Sequence, residues 1–149
     1  MMRRVFLPLV LVGLLLTACG GGTVDLATAV PPNASVVQQT GNAEIDAILS
    51  SWRESVPSAM IDRAIKGDTI QQNVYTTDAT VTDVQNYYVT TFEGKNGWSA
   101  AMRTPGLDAE QGVAIDGYEH GTTSLIIGAI DAAKYGGEGT VVYTVTGHK

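Results

Sequence analysis

Apolar residues recur along this chain with two periods. From Asn42 onward, Ile45, Ile48, Leu49 and Trp52 fall at i, i+3, i+4 and i+7, one stripe of an amphipathic helix. Asn42 supplies an N-cap, and Glu44 and Asp46 sit near the positive end of the helix dipole. Pro57 is expected to end this helix, since it lacks an amide hydrogen and crowds the preceding turn. Met60, Ile61 and Ile65 then form a shorter helical or irregular piece, up to Gly67-Asp68. A second stripe of Val81, Val84, Tyr88 and Phe92 predicts a helix opening at Thr80, where Asp83 completes a capping box; Gly94 and Gly97 stop it.

The other period is two. Residues 69–77 are β-branched and polar, which suits a strand wetted on one side. Residues 99–103, 112–119, 122–131 and 140–146 give four more candidates. The segment 122–131 is apolar on both faces, at Leu125, Ile126, Ile127 and Ile130, and so belongs in the middle of a sheet. The expected fold class is α+β: an antiparallel sheet of four to five strands with two helices packed on one face. At these spacings Trp52 and Tyr88 are core residues.

Ahead of this pattern stands a different kind of segment. Arg3 and Arg4 precede the uncharged residues 5–16, a run of twelve. A membrane-spanning helix needs about 20 apolar residues, so the run has the dimensions of a signal peptide. Leu16, Thr17 and Ala18 follow as a cleavage motif, and then comes Cys19, the single cysteine of the chain. The domain plan is therefore a signal peptide over 1–18, a tether over 19–34 and one globular domain over 35–149. The tether reading rests on Gly20-Gly21-Gly22 and on Pro31-Pro32, which give freedom and an extended path.

Cleavage changes the charge. The full chain carries −6; loss of Arg3 and Arg4 leaves seven basic residues against fifteen acidic ones, or −8. Such a field disfavours nucleic acid and direct electrostatic docking on anionic lipid. With Cys19 modified no thiol remains, so disulfides and thiolate metal sites are not expected.

The Leu16-Thr17-Ala18-Cys19 motif, together with Tyr75-Thr76-Thr77, Tyr87-Tyr88 and Gly97-Trp98 over residues 70–145, resembles small bacterial lipoproteins that carry one α+β domain of unknown function. The resemblance implies a diacylglycerol thioether on Cys19, cleavage before it, and a palmitate-type acyl group on the freed amine. It places the domain outside the cytoplasm, lipid-anchored in the cell envelope; several acyl chains hold a protein stably on a membrane where one does so only reversibly. Gly20 lacks the aspartate character associated with inner-membrane retention. No catalytic residue carries over.

Other chemical candidates are sparse. His120 lies in Tyr-Glu-His-Gly at an expected hairpin tip, read as a solvated turn, and His148 is penultimate, read as a frayed end. A metal site of Asp116, Glu119 and His120 is opposed by alternation, because Glu119 and His120 point to opposite faces. Gly136-Gly137-Glu138-Gly139 precedes a strand and lacks a following Lys-Ser/Thr, so it reads as a turn and not a phosphate cradle. Ser50, Ser51, Ser55 and Ser58 have no histidine nearby in sequence; Asp108 and Glu110 lie in a loop. No catalytic, cofactor or metal site is assigned. The leading expectation is a non-enzymatic module that binds or scaffolds another envelope component. Two alternatives stand beside it: a small-ligand carrier with a helix–sheet pocket lined by Trp52, Tyr88 and Trp98, and a hydrolase whose site assembles only in three dimensions.

Overall fold

The computed structural model describes residues 29–103 and 111–149. In chain order it comprises β1 (Ser35–Val36), α1 (Ala43–Asp62), β2 (Gln71–Thr77), α2 (Val81–Phe92), β3 (Ser99–Arg103), β4 (Val113–His120), β5 (Thr123–Asp131) and β6 (Thr140–His148), with short 3-10 turns at Gly67–Thr69 and Ala132–Tyr135. All pairings are antiparallel, and the sheet order is β1-β2-β6-β5-β4-β3. The fold class is α+β. The sheet has six strands, not four to five: the added one is the two-residue β1, too short to leave a periodic signal.

Connectivity follows from element lengths. β2 and β3 are consecutive in sequence yet lie four strand spacings apart, about 19 Å at 4.8 Å each. α2, which joins them, has 12 residues and so extends about 18 Å. It crosses the sheet, and the β3–β4–β5–β6 meander then returns to pair with β2. The apolar-on-both-faces segment becomes β5, which with β6 forms the middle of the sheet.

The helices do not share a face. Alternation sends Leu125, Ile127, Ala129 and Val142 to one side, where they pack with Val81, Val84, Tyr88 and Phe92 of α2. It sends Ile126, Ile130, Val141, Tyr143 and Val145 to the other, where they meet Ile45, Leu49, Trp52, Val56 and Met60 of α1. The expected single-faced packing is thus corrected to a helix on each side. The cause is in β5 and β6 themselves: strands apolar on both faces need both covered.

Pro57 does not end α1, which continues to Asp62. The inward stripe runs Ile45, Leu49, Trp52, Val56, Met60 straight through the proline, with Trp52 and Val56 partly buried and the other three fully so. The missing amide deprives only the carbonyl of Arg53, an exposed position open to water. Burying Val56 and Met60, at about 1.5–3 kcal/mol for a fully covered side chain, offsets an interior proline at about 3 kcal/mol. Asn42 caps the helix as expected, accepting from the Glu44 and Ile45 amides, and its own amide holds the Tyr135 carbonyl at 2.7 Å. The Thr80–Asp83 capping box at the start of α2 is complete in both directions.

The stretch from Ala29 belongs to the folded body. Ala29 and Pro31 are buried, the Tyr88 hydroxyl donates to the Ala29 carbonyl at 2.5 Å, and the Thr77 hydroxyl donates to the Pro32 carbonyl at 3.0 Å. These residues lie along α2 as a strap, so residues 29–34, expected as part of the tether, pack on the domain. The expected signal peptide and Cys19 lie outside the described residues.

Candidate functional site

α1 covers β2, β6 and β5 but not the far end of its side of the sheet. There Gly117 of β4 has no side chain, and Met102 of edge strand β3 lies over it, its Cβ 3.4 Å from where a Cβ on Gly117 would stand. Met60 and Ile65 at the end of α1, with Ile126 from β5, wall an apolar slot beside them; Arg63 and Glu119 stand at its rim. Its enclosed volume is about 30 Å³, against the roughly 300 Å³ at which small-molecule sites begin. It is a surface feature. Met102 is 40% exposed and Ile61 52%, so this end of the sheet presents apolar side chains to the outside.

The opposite side carries a polar row under α2. Asp116 is 3% exposed. One of its oxygens accepts from Gln85 Nε2 at 3.0 Å, and among the described residues Oδ1 has no hydrogen-bond partner. Tyr118, two residues along the same face, is also buried, its hydroxyl likewise without a partner among the described residues. Burial, then the Asp116 carboxylate, push the Tyr118 phenol up to about 12, while the nearby Arg103 guanidinium opposes the rise without reaching hydrogen-bond geometry. Arg103 stands across from Asp116 in register but pairs with the exposed Glu93 at the end of α2, which holds its proton more tightly than usual. These groups clasp α2 to β3 and β4. Among the described residues no basic side chain is seated on the Asp116 oxygen, and neither serine nor histidine joins the row at Asp116.

The sequence candidates are scattered by the fold. Trp52 packs on Tyr143, with ring centroids 6.0 Å apart, on the α1 side. Tyr88 and Trp98 belong to the α2 cluster on the other side. The three aromatics cannot line one pocket, which corrects the composition expected for a carrier site. His120 is not a solvated turn: it ends β4 and stacks on Trp98 at 5.5 Å, because alternation puts it on the α2 side. Asp116 and His120 do share that face, but four strand residues separate them, about 13 Å, with Tyr118 between. Glu119 points the other way, as alternation requires. His148 is not frayed; it lies in β6, its Nδ1 is 3.0 Å from the Thr123 hydroxyl, and its amide donates to Thr69 Oγ1. Gly136 to Gly139 form the turn between the second 3-10 segment and β6. Ser55 and Ser58 turn back to bond carbonyls of their own helix. Asp108 and Glu110 lie outside the described residues, as do Leu16, Thr17, Ala18 and Cys19.

Among the described residues no group of three or more His, Cys, Asp or Glu side chains is placed to hold a metal ion, and no helix is long and apolar enough to cross a membrane. Comparison with protein families, curated proteins and solved structures finds no match to this chain. The site residues missed by sequence reading, Met102, Gly117 and Ile126, lie on three strands. Their only signal was alternation, which states a face but not whether a helix covers it.

Proposed function

We propose that this chain is a lipid-anchored module of the bacterial cell envelope that binds or scaffolds another envelope component. The anchor half of the reading rests on Leu16-Thr17-Ala18-Cys19 behind a basic start and a short apolar run. Ala29, the first described residue and a buried one, stands ten residues on from Cys19. Fully extended, that length reaches about 35 Å, enough to hold the domain clear of lipid head groups. The binding half is carried by one observation: among the described residues only the C-terminal end of α1 reaches β3 and β4 on its side of the sheet, and Met102 stands exposed beside the apolar slot. Methionine adapts to irregular partners, and an exposed apolar patch with a polar rim is the chemistry of a protein contact.

The reading has two separable tests. Mass spectrometry of the native protein is expected to show acylation of an N-terminal Cys19; an unmodified chain beginning at Met1 would overturn the anchor. Cys19→Ser is expected to mislocalise the protein without changing the unfolding of the domain. For binding, a photo-crosslinking residue at position 102 is expected to capture a discrete envelope partner in cells, and Met102→Glu to lose its co-purification. Crosslinks no more frequent than at the far surface of α1, for instance at Ser51, would overturn the surface assignment.

A further inference from the structure

The two edges of the sheet are treated differently. Natural edge strands are blunted by bulges, charge, proline or covering segments. β3 carries such a device: its register against β4 shifts between Ala100 and Met102, and Arg103 is tied over to Glu93. β2 is flat and regular, paired with β6 without interruption from Gln71 to Thr77. Its outer side is covered only in part. Ser35 and Val36 stand opposite Thr76 and Tyr75, the Val37 amide donates to the Val74 carbonyl at 2.9 Å, and the chain then leaves.

The backbone groups left behind can be identified. In an antiparallel ladder a residue directs its own N–H and C=O to the same neighbour, and successive residues alternate. Since the Val74 carbonyl faces β1, so do the Val74 N–H and both groups of Gln72. Among the described residues none of these three has a backbone partner. The row Gln71-Gln72-Asn73 is exposed and holds no lysine, proline or bulge.

Beside this open edge is a polar recess of about 70 Å³, whose lining includes Gln38, Gln72, Asn73 and Arg53 of α1. Among the described residues Arg53 is its one charged side chain. A single guanidinium nitrogen is used, donating to the Gln38 carbonyl at 3.2 Å. Asp46, whose carboxylate feels Arg53, accepts the amide and hydroxyl of Thr40 on Oδ1, both at 2.9 Å, and is not in ion-pair contact with Arg53. The recess therefore offers a cation to a carboxylate from outside.

We propose that the lower half of the β2 edge is a strand-addition site for an extended peptide segment of a partner protein that carries an acidic side chain. The segment continues the line of β1, exchanges main-chain hydrogen bonds with Gln72 and Val74, and turns its carboxylate toward Arg53. Alternating donors and acceptors at strand spacing are what a peptide backbone supplies. Three bonds and one rim charge make a weak, transient contact. This site is separate from the Met102 surface and stands or falls independently of it.

The probes are three synthetic peptides of alternating threonine and valine with a central glutamate, glutamine or lysine, added to the isotopically labelled full-length chain in detergent. The glutamate peptide is expected to slow amide exchange at Gln72 and Val74, and to bind up to about fivefold more tightly than the glutamine peptide, the range for a partly exposed ion pair. Arg53→Gln is expected to level the peptides. Gln72→Pro removes the outward N–H while sparing the β6 ladder and is expected to abolish binding; Gln72→Ala, which loses only the side-chain contact to Tyr143, is expected to retain it. If Gln72→Pro does not fold, the exchange data and Arg53→Gln decide alone. Protection appearing instead along Ser99–Arg103, no protection at Gln72 and Val74, or protection that follows protein concentration without peptide would each overturn the proposal.

Discussion

Gly128→Ala tests the placement of α1 on the sheet. Gly128 lies in β5, and a Cβ built on it would stand 2.3 Å from Trp52 Cζ3 and 2.8 Å from Cε3. Its φ is not in the left-handed region, so alanine suits the backbone there and the obstacle is the indole alone. Overpacking of this kind costs about 1–3 kcal/mol. Against it stands a gain of about 0.4–1 kcal/mol from the less flexible unfolded chain. The expected net loss is about 1–2 kcal/mol, or a fall in Tm of roughly 4–8 °C for a domain of this size. The assay is urea unfolding followed by circular dichroism, repeated in a Trp52→Leu background that lacks the colliding ring. There Gly128→Ala is expected to be neutral or slightly stabilising, which gives a coupling energy of about 1–2 kcal/mol between the two positions. An equal cost in both backgrounds, or none in the native one, would refute the seating of α1 over β5 and with it the two-sided architecture.

Other outcomes follow from the same packing. Tyr88→Phe leaves the Ala29 carbonyl without its donor and is expected to cost about 1–3 kcal/mol in denaturant unfolding; a change near zero would show that the strap adds nothing. Gly139→Ala would bring a Cβ within 2.2 Å of the Thr77 carbonyl oxygen at a φ of +70°, whereas Gly136, at +76°, has nothing within 4 Å. Alanine at 136 is expected to cost about 1–2 kcal/mol for the left-handed backbone alone, and at 139 clearly more, by the same assay. Burial pushes Tyr118 and Tyr143 each up to about 12, against about 10 in the unfolded chain. The neutral phenols thus contribute stability that is whole below pH 10 and is lost as pH rises from 10 through 12. Across that window phenolate absorbance is expected to rise as the unfolding free energy falls, and Tyr143→Phe to shrink the loss; ordinary titration of both rings near 10 would contradict their burial. Thr40 holds the Asp46 carboxylate below its usual range, so its contribution is present above about pH 4 and is lost as pH falls through the folded value. Thr40→Val is expected to reduce that acid-side loss.

Element identity was legible where a residue acts on its near neighbours. The caps at Asn42 and Thr80 depend on amides two or three residues away, and the β4 and β6 segments on alternation within a few positions. Pro57 misled for a related reason: local chemistry says stop, but the carbonyl it deprives is exposed and the stripe beyond it is buried. His120 was misread because its partner, Trp98, is supplied by the turn leading into β3. The strap was hidden in the same way, since a proline-rich stretch looks free until a distant Tyr88 hydroxyl is seen to hold it.

By itself the sequence determined the number and type of the helices, the five longer strands and the central position of β5. Periodicity and capping are short-range. Tertiary structure alone decided that the helices flank the sheet on opposite sides, that Trp52 and Tyr88 never meet, and that, among the described residues, Met102 stands exposed and half of the β2 edge is left unpaired. Each of those depends on which strand pairs with which, and alternation tells a residue its face without telling it what, if anything, lies across from it.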